Sequence, residues 1–457
     1  MKSNLLREIK LLIVIRIILG EGKMIRFHKN GWMPVLLLII LLMTFPNQIL
    51  SKTTKASKTA KASQKAKIPE KAETTPTSQA TSGSLQCDAQ SAVLMDGLTG
   101  RVLYEQNPNL RIAPASFVKV MTLYLIGDAI RAGQIKADDL VTVSETAWRR
   151  AWKTEGSKMF IKVGERVKVE DLMKGVAIAS GNDACVALAE HLSGSEEVFV
   201  SKMNEKAKIL GLNNSQFRNS DGMPAEGQYI TAMDMATLSR RYIEDHPEAL
   251  TLHSTVEFEF NGIRQGNRNT LLQKNIGVDG LKTGHVKEAG YHLTATAKRD
   301  GQRMIAVVMG CDKVSKRAAE AQKLLEYGFK NFSTVEAVKK GATFGPVRVK
   351  RGKVNQVALL AAEEGRVTVA KGKENSVSAN PQLPEFIVAP VQKGQAVAKV
   401  FIQREGKVVK EVNLLASSNV EKSFIPPWPI LVGIGCGLAI VIVLGFWWFR
   451  RPKAKKL

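Results

Sequence analysis

Ser116-Phe117-Val118-Lys119 sets a hydroxyl and an amine three residues apart, and residues at that spacing share one face of a helix. A neutral lysine there can take the serine proton, and the serine oxygen can then attack a carbonyl carbon. Alone, the pair reads first as a surface lysine beside a capping serine. Two later tripeptides change its weight. Ser180-Gly181-Asn182 follows the apolar helical run Val176-Ala177-Ile178-Ala179, and Lys282-Thr283-Gly284 stands ahead of a strand-like segment. The chain has no second Ser-Xaa-Xaa-Lys and no second Lys-Thr-Gly. Two further Ser-Xaa-Asn tripeptides, at Ser378 and Ser417, come after Lys282.

The elements that must position these residues are visible around them. Val118, Met121, Leu125 and Ala129 give a helical period directly behind Ser116. Ala92–Met95 and Arg101–Glu105 form a hairpin around Gly97 and Gly100. His292–Lys298 and Arg303–Met309 form another, joined at Asp300-Gly301. Ala318, Ala321, Leu324 and Leu325 mark a helix ending near Gly328. Strands at both ends with helices between predict an α+β domain, an antiparallel sheet flanked by helices, over residues 87–334. From 341 to 416 short strand-like runs alternate with Gly, Pro, Asn and Lys turns, which predicts a small all-β domain.

The 457 residues leave room for tails as well as two domains. Residues 1–50 contain the apolar run Pro34–Phe45 behind Arg26, His28 and Lys29, the pattern of an export signal; Met24 would open a signal of ordinary form. Residues 51–86 are rich in Lys, Ala, Ser and Thr and lack the apolar content of a packed domain, so they read as a disordered linker. Residues 428–449 are long and apolar enough to cross a bilayer. Trp428, Trp447 and Trp448 stand at the ends, and 450–457 form a basic tail. The net charge of +24 is concentrated in these flanks. That favours membrane topology and contact with anionic lipid or wall polymer over nucleic-acid binding. The predicted location is therefore a cell membrane, with the folded part outside and the C-terminus in the cytoplasm. The spacing of Cys87, Cys185, Cys311 and Cys436 fits no zinc site, nor do His191, His246, His253 and His292, and no metal or cofactor is implied. A Cys87–Cys311 disulfide stays open for an exported chain.

The order Ser-Xaa-Xaa-Lys, Ser-Xaa-Asn, Lys-Thr-Gly is that of penicillin-recognising serine enzymes. With its flanks, Ile112-Ala113-Pro114-Ala115, Asp183-Ala184-Cys185 and Val278-Asp279-Gly280-Leu281, the chain resembles the low-molecular-mass penicillin-binding proteins of the penicillin-binding protein 5 type, which are D-alanyl-D-alanine carboxypeptidases. The resemblance spans about Cys87 to Ala416. It implies a β-lactamase/transpeptidase-like catalytic domain, peptidoglycan stem peptides as substrate and β-lactams as inhibitors. Ser116 would be the nucleophile, Lys119 the general base and Ser180 a proton relay. Asn182 would hold the substrate amide, and Lys282 and Thr283 would bind the terminal carboxylate. Gly284 would let the substrate lie against the strand, and the His285 backbone N–H would be an oxyanion donor beside that of Ser116. Arg317 resembles a family arginine near the carboxylate site and reads equally as half of a helix-surface pair with Glu320. A class A-like β-lactamase and a catalytically silent peptidoglycan-binding or penicillin-sensing protein remain the competing functions. Gly181, where class A enzymes usually carry Asp, and the additional β domain favour the peptidase.

Overall fold

The computed structural model describes residues 85–153, 156–423 and 428–450. The export segment, nearly all of the linker and the tail beyond Arg450 lie outside the described residues.

Strands β1 (Ser91–Asp96) and β2 (Val102–Gln106) form the first hairpin. Helices follow, interrupted by two small ribbons. β3 (Leu140–Thr142) pairs with β4 (Arg166–Lys168), and β5 (Glu257–Phe260) with β6 (Ile263–Gly266). β7 (Val278–Val286), β8 (Gly290–Arg299) and β9 (Gln302–Cys311) then complete an antiparallel sheet ordered β2-β1-β9-β8-β7. Its strands alternate, but both faces are covered. Val93, Met95, Ile305 and Val307 enter the larger core under the helices, whereas Ala92, Leu94, Met304, Ala306 and Val308 enter the core under helix Val314–Asn331. A strand buried on both faces reads as an unbroken apolar run, as Met304–Met309 does.

Two local readings need correction. The helix behind Ser116, Val118–Arg131, buries every residue from Val118 to Tyr124, while Leu125, expected on its inner stripe, is only partly buried. It is a central helix packed on nearly all sides rather than a surface helix with one apolar face. Helix Val314–Asn331 also continues past Gly328. A Cβ at Gly328 would lie 3.0 Å from Met304 Sδ and 3.2 Å from Leu94, so this glycine permits close packing on the sheet instead of ending the helix.

The all-β part consists of β10 (Phe332–Val338), β11 (Thr343–Lys350), β12 (Gln356–Ala361), β13 (Gly365–Ala370), β14 (Val377–Gln382), β15 (Phe386–Val388), β16 (Ala396–Arg404) and β17 (Lys407–Ala416). β10 pairs with β13, and the rest form a six-stranded sheet ordered β14-β16-β17-β12-β11-β15. The sequence reading found neither β10 nor β14. β10 starts the module at Phe332 instead of 341, so a border at 334 cuts through a strand. β14 contains Pro381, which an edge strand tolerates. The module packs around Val347, Leu359, Val400, Ile402, Val412 and Leu414. At the junction, the carboxylate of Asp96 accepts from Thr334 Oγ1 and, at 2.8 Å, from Thr368 Oγ1. Helix Trp428–Phe449 ends the described chain. Its stretch Ile430–Phe449 is long and apolar enough to cross a bilayer and is not buried against the rest of the protein.

Candidate active site

The three motifs, distant in sequence, meet at one cleft of about 300 Å³. Ser116 lies in the 3₁₀ turn Ala115–Phe117 that runs into helix Val118–Arg131. This leaves Ser116 at the mouth and carries Lys119 inside, where it is fully buried. Lys119 Nζ is 3.1 Å from Ser116 Oγ and 2.8 Å from Asn182 Oδ1, and it donates to the carbonyl of Asp221. Ser180 Oγ is 3.1 Å from Ser116 Oγ on its other side, and Lys282 Nζ is 3.1 Å from Ser180 Oγ. A continuous chain of polar groups thus runs from Lys119 through Ser116 and Ser180 to Lys282.

Local backbone explains how Ser180 reaches this place. Gly175–Ala179 is wound as a π-helix that ends on Ser180 in the left-handed conformation, φ +61°. Asn182 then opens helix Asn182–Ser193. A π turn and a non-glycine left-handed residue together are a costly arrangement of the kind found at functional sites. Lys282, Thr283 and Gly284 lie on edge strand β7, paired in register with Thr294, Leu293 and His292. A Cβ on Gly284 would sit 3.3 Å from both Ala115 Cβ and His292 Cδ2. Gly284 therefore also permits the segment before Ser116 to approach the strand. Gly222 is more constrained: φ is +85°, and a Cβ would fall 1.8 Å from the carbonyl of Ala115.

Burial lowers the Lys119 ammonium below the ordinary lysine range, and the charge of Arg268 pushes the same way. Lys282 is pushed well down, first by burial and then by Lys119 and Arg268. Both effects favour the neutral amine. The two lysines repel each other across Ser180. His285 lines the cleft, with its ring stacked 4.1 Å from that of Tyr291. His292 is structural but tied to the site. Its Nδ1 accepts from Gly310 N–H, so Nε2 carries the proton and donates to the carbonyl of Ala113. His246 and His253 are buried away from the cleft. Cys87 and Cys311 are free buried thiols, and Cys185 is a buried core residue.

The sequence leaves Arg317 open between the carboxylate site and a surface ion pair, and it signals no role for Arg268, Asp183 or Asp221 at the cleft. Arg317 lines it and donates to the carbonyl of Gly284 at 3.1 Å, whereas Glu320 pairs with Lys323. Arg268 lines it from a loop with no recognisable motif, and donates to Ser157 Oγ. Asp183, inside the Ser-Gly-Asn-Asp stretch, accepts backbone N–H groups from Met159, Phe160 and Ile161. It thereby anchors the loop whose Gly156 and Ser157 line the cleft. Asp221 offers its carbonyl to Lys119, while its carboxylate is taken by Arg150 and Met223 N–H.

The helix-flanked antiparallel sheet, with its separate β module, has the penicillin-binding-protein transpeptidase-like fold. Residues 74–313 match the D-alanyl-D-alanine carboxypeptidase family, and residues 332–422 match the C-terminal domain of penicillin-binding protein 5. The chain is 43% identical over 354 residues to D-alanyl-D-alanine carboxypeptidase DacC of Escherichia coli, covering 76% of this chain and 88% of that one. Penicillin-binding protein 5 from Haemophilus influenzae superposes with a TM-score of 0.67 at 41% identity, over 75% of this chain and all of that one. Penicillin-binding protein D2 from Listeria monocytogenes, in its cefotaxime-bound form, matches 55% of this chain and all of its own at 31% identity and a TM-score of 0.50. The chain belongs to the D-alanyl-D-alanine carboxypeptidase family of serine peptidases.

Proposed function

We propose that the protein is a serine-type D-Ala-D-Ala carboxypeptidase that trims the terminal D-alanine from peptidoglycan stem peptides. The observation that carries this reading is the position of Ser116 Oγ, 3.1 Å from a buried lysine amine and 3.1 Å from a second serine hydroxyl, in a cleft also lined by Arg268 and Arg317. The cationic lining suits a substrate that ends in a carboxylate. Lys119 takes the Ser116 proton as Oγ attacks the carbonyl of the penultimate D-Ala. The N–H groups of Ser116 and His285 receive the developing oxyanion; losing one such donor costs about 3 kcal/mol. The C–N bond breaks, and the proton returns through Ser180 to the amine of the departing D-Ala. Lys282 and Thr283 hold the substrate carboxylate, and Asn182 holds the substrate amide and Lys119. Water then cleaves the ester and regenerates Ser116.

A β-lactam offers a carboxylate and a reactive amide to the same groups, so it acylates Ser116 and inhibits. A class A-like β-lactamase needs a further carboxylate to activate the deacylating water. Asp183 is occupied by backbone N–H groups and Asp221 by Arg150 and Met223, which supports the peptidase. The apolar helix Trp428–Phe449 would anchor the catalytic domain on the extracytoplasmic face and leave the basic tail in the cytoplasm. The β module would hold the cleft away from the membrane.

The test is D-Ala release from a pentapeptide ending in D-Ala-D-Ala, with and without penicillin. Release blocked by stoichiometric labelling of Ser116 is expected. Penicillin binding without D-Ala release would indicate a sensor, and rapid turnover of penicillin would indicate a β-lactamase. For the anchor, resistance of the full chain to alkaline carbonate extraction is expected; extraction would refute a spanning helix.

A further inference from the structure

A second cationic cleft, of about 390 Å³, opens where the β1–β2 turn meets β13, β16 and β17. Arg101, Arg366, Arg404 and Lys410 line it, and no carboxylate does. Two of the four are neutralised from outside: Arg366 by Glu364 at 2.9 Å and Glu336 at 3.5 Å, and Lys410 by Glu363 at 3.4 Å. Arg101 and Arg404 are not. Among the described residues, neither has a carboxylate within ion-pair distance. Their guanidinium groups instead converge on one carbonyl, that of Thr368, at 2.7 Å and 3.3 Å.

Two guanidinium groups that share one carbonyl repel each other, and an anion between them would relieve that repulsion. Burial, and then the charge of Arg404, lower the Arg101 guanidinium from its ordinary range. Asp96 and Glu405 are the carboxylates whose charge reaches and partly offsets Arg101, but neither is ion-paired with it. Asp96 accepts from Leu98 N–H, Thr99 N–H, Thr334 and Thr368, and Glu405 lies 3.8 Å from Lys373. Each guanidinium has five N–H donors in a planar fork, so one shared carbonyl leaves most of them unused. Paired forks of this kind match the several acceptor oxygens of a phosphate.

We propose that this junction cleft binds a phosphate-class oxyanion, clamped between Arg101 of the catalytic domain and Arg404 of the β module. Lys410 and Arg366 supply further positive charge at its rim. The bound anion adds a further tie between two domains already joined at this edge by the Asp96–Thr334, Asp96–Thr368, Thr99–Thr368 and Arg101–Thr368 hydrogen bonds. Free phosphate and the phosphodiester of an anionic lipid or wall polymer offer the same chemistry.

The experiment uses the full chain in detergent at constant ionic strength. Inorganic phosphate should bind at one site by equilibrium dialysis and raise Tm saturably. Arg101→Gln and Arg404→Gln should each weaken binding at least tenfold while leaving D-Ala release unchanged. Arg404→Gln removes only the longer of the two bonds to Thr368, so it tests the site if Arg101→Gln disturbs folding. Phosphatidylglycerol vesicles added to the chain lacking residues after Ser423 identify the source. Binding that depends on Arg404 points to a lipid phosphate, and phosphate binding without vesicle binding points to a soluble or polymer phosphate. Failure of the parent to bind phosphate at one site, or binding by both variants as tight as the parent's, overturns the proposal.

Discussion

The catalytic domain and the β module are both built on antiparallel sheets, but they bury different things. Among the described residues, buried polar and charged side chains lie in the catalytic domain, Thr368 at the junction excepted. Around Ser116 they include Lys119, Ser180, Asn182, Asp183, Asp221, Lys282, Thr283 and Arg317. The β module encloses Val, Leu, Ile and Ala and keeps its charged groups outside. A buried polar group costs free energy unless it is hydrogen-bonded. The catalytic domain carries that cost as one connected network, and a perturbed, networked lysine is the feature expected of a reactive site. The β module has the simpler composition of a structural support.

This contrast can be broken most directly at the nucleophile. Ser116→Ala should lower D-Ala release by ~10³-fold or more and abolish covalent penicillin labelling, with the fold retained. Labelled mutant protein in a mass spectrum would overturn the assignment. In the β module a core truncation should do the reverse. Leu359 is fully buried, and Leu359→Ala should cost about 2–5 kcal/mol of stability while leaving kcat/KM unchanged. A matching loss of kcat/KM would show that the module helps to build the cleft.

Asp183→Asn sharpens the comparison, because it alters a support within the catalytic network. The amide cannot accept all the N–H groups that the carboxylate holds, and each buried donor left unsatisfied costs about 1–3 kcal/mol. A lower Tm and a raised KM are expected. An unchanged KM would separate the 156–161 loop from substrate binding.

The pH profile tests the lysine. Its amine must be neutral to act as base, so activity rises with pH through the Lys119 pKa. Since burial lowers that pKa, the acidic limb of kcat/KM should fall below the ordinary lysine range near ~10.4. Arg268→Gln removes a charge that contributes to the lowering, so it should move the limb to higher pH; movement to lower pH would contradict the electrostatic account. The smallest effect belongs to the exposed Lys399–Glu411 pair on the β module. Lys399→Ala should change stability by only about 0.2–1 kcal/mol and leave activity unaltered, as a thermal melt and an assay would check.

Much of the chemistry was legible in the linear chain because the reactive groups occur in short motifs with local geometry. Ser116 and Lys119 share a helical turn, so their approach needs no tertiary information. The Asp300-Gly301 hairpin and the apolar Trp428–Phe449 helix were likewise set by neighbouring residues. Folding decided what came from a distance. Arg268 and the Asp221 carbonyl belong to loops without a signature, and only their packing beside Lys119 and Lys282 gives them a place at the site. Arg317 could be read as a surface ion pair until helix Val314–Asn331 turned it toward Gly284. Strand β10 was hidden because its polar, half-buried sequence gains its partner, β13, from across the module. Gly328 looked like a helix stop because a missing Cβ serves both chain termination and close packing, and the approach of Met304 and Leu94 determines which applies. Local spacing specified the reacting atoms; the surroundings that bury Lys119 and make its amine a base exist only in the folded chain.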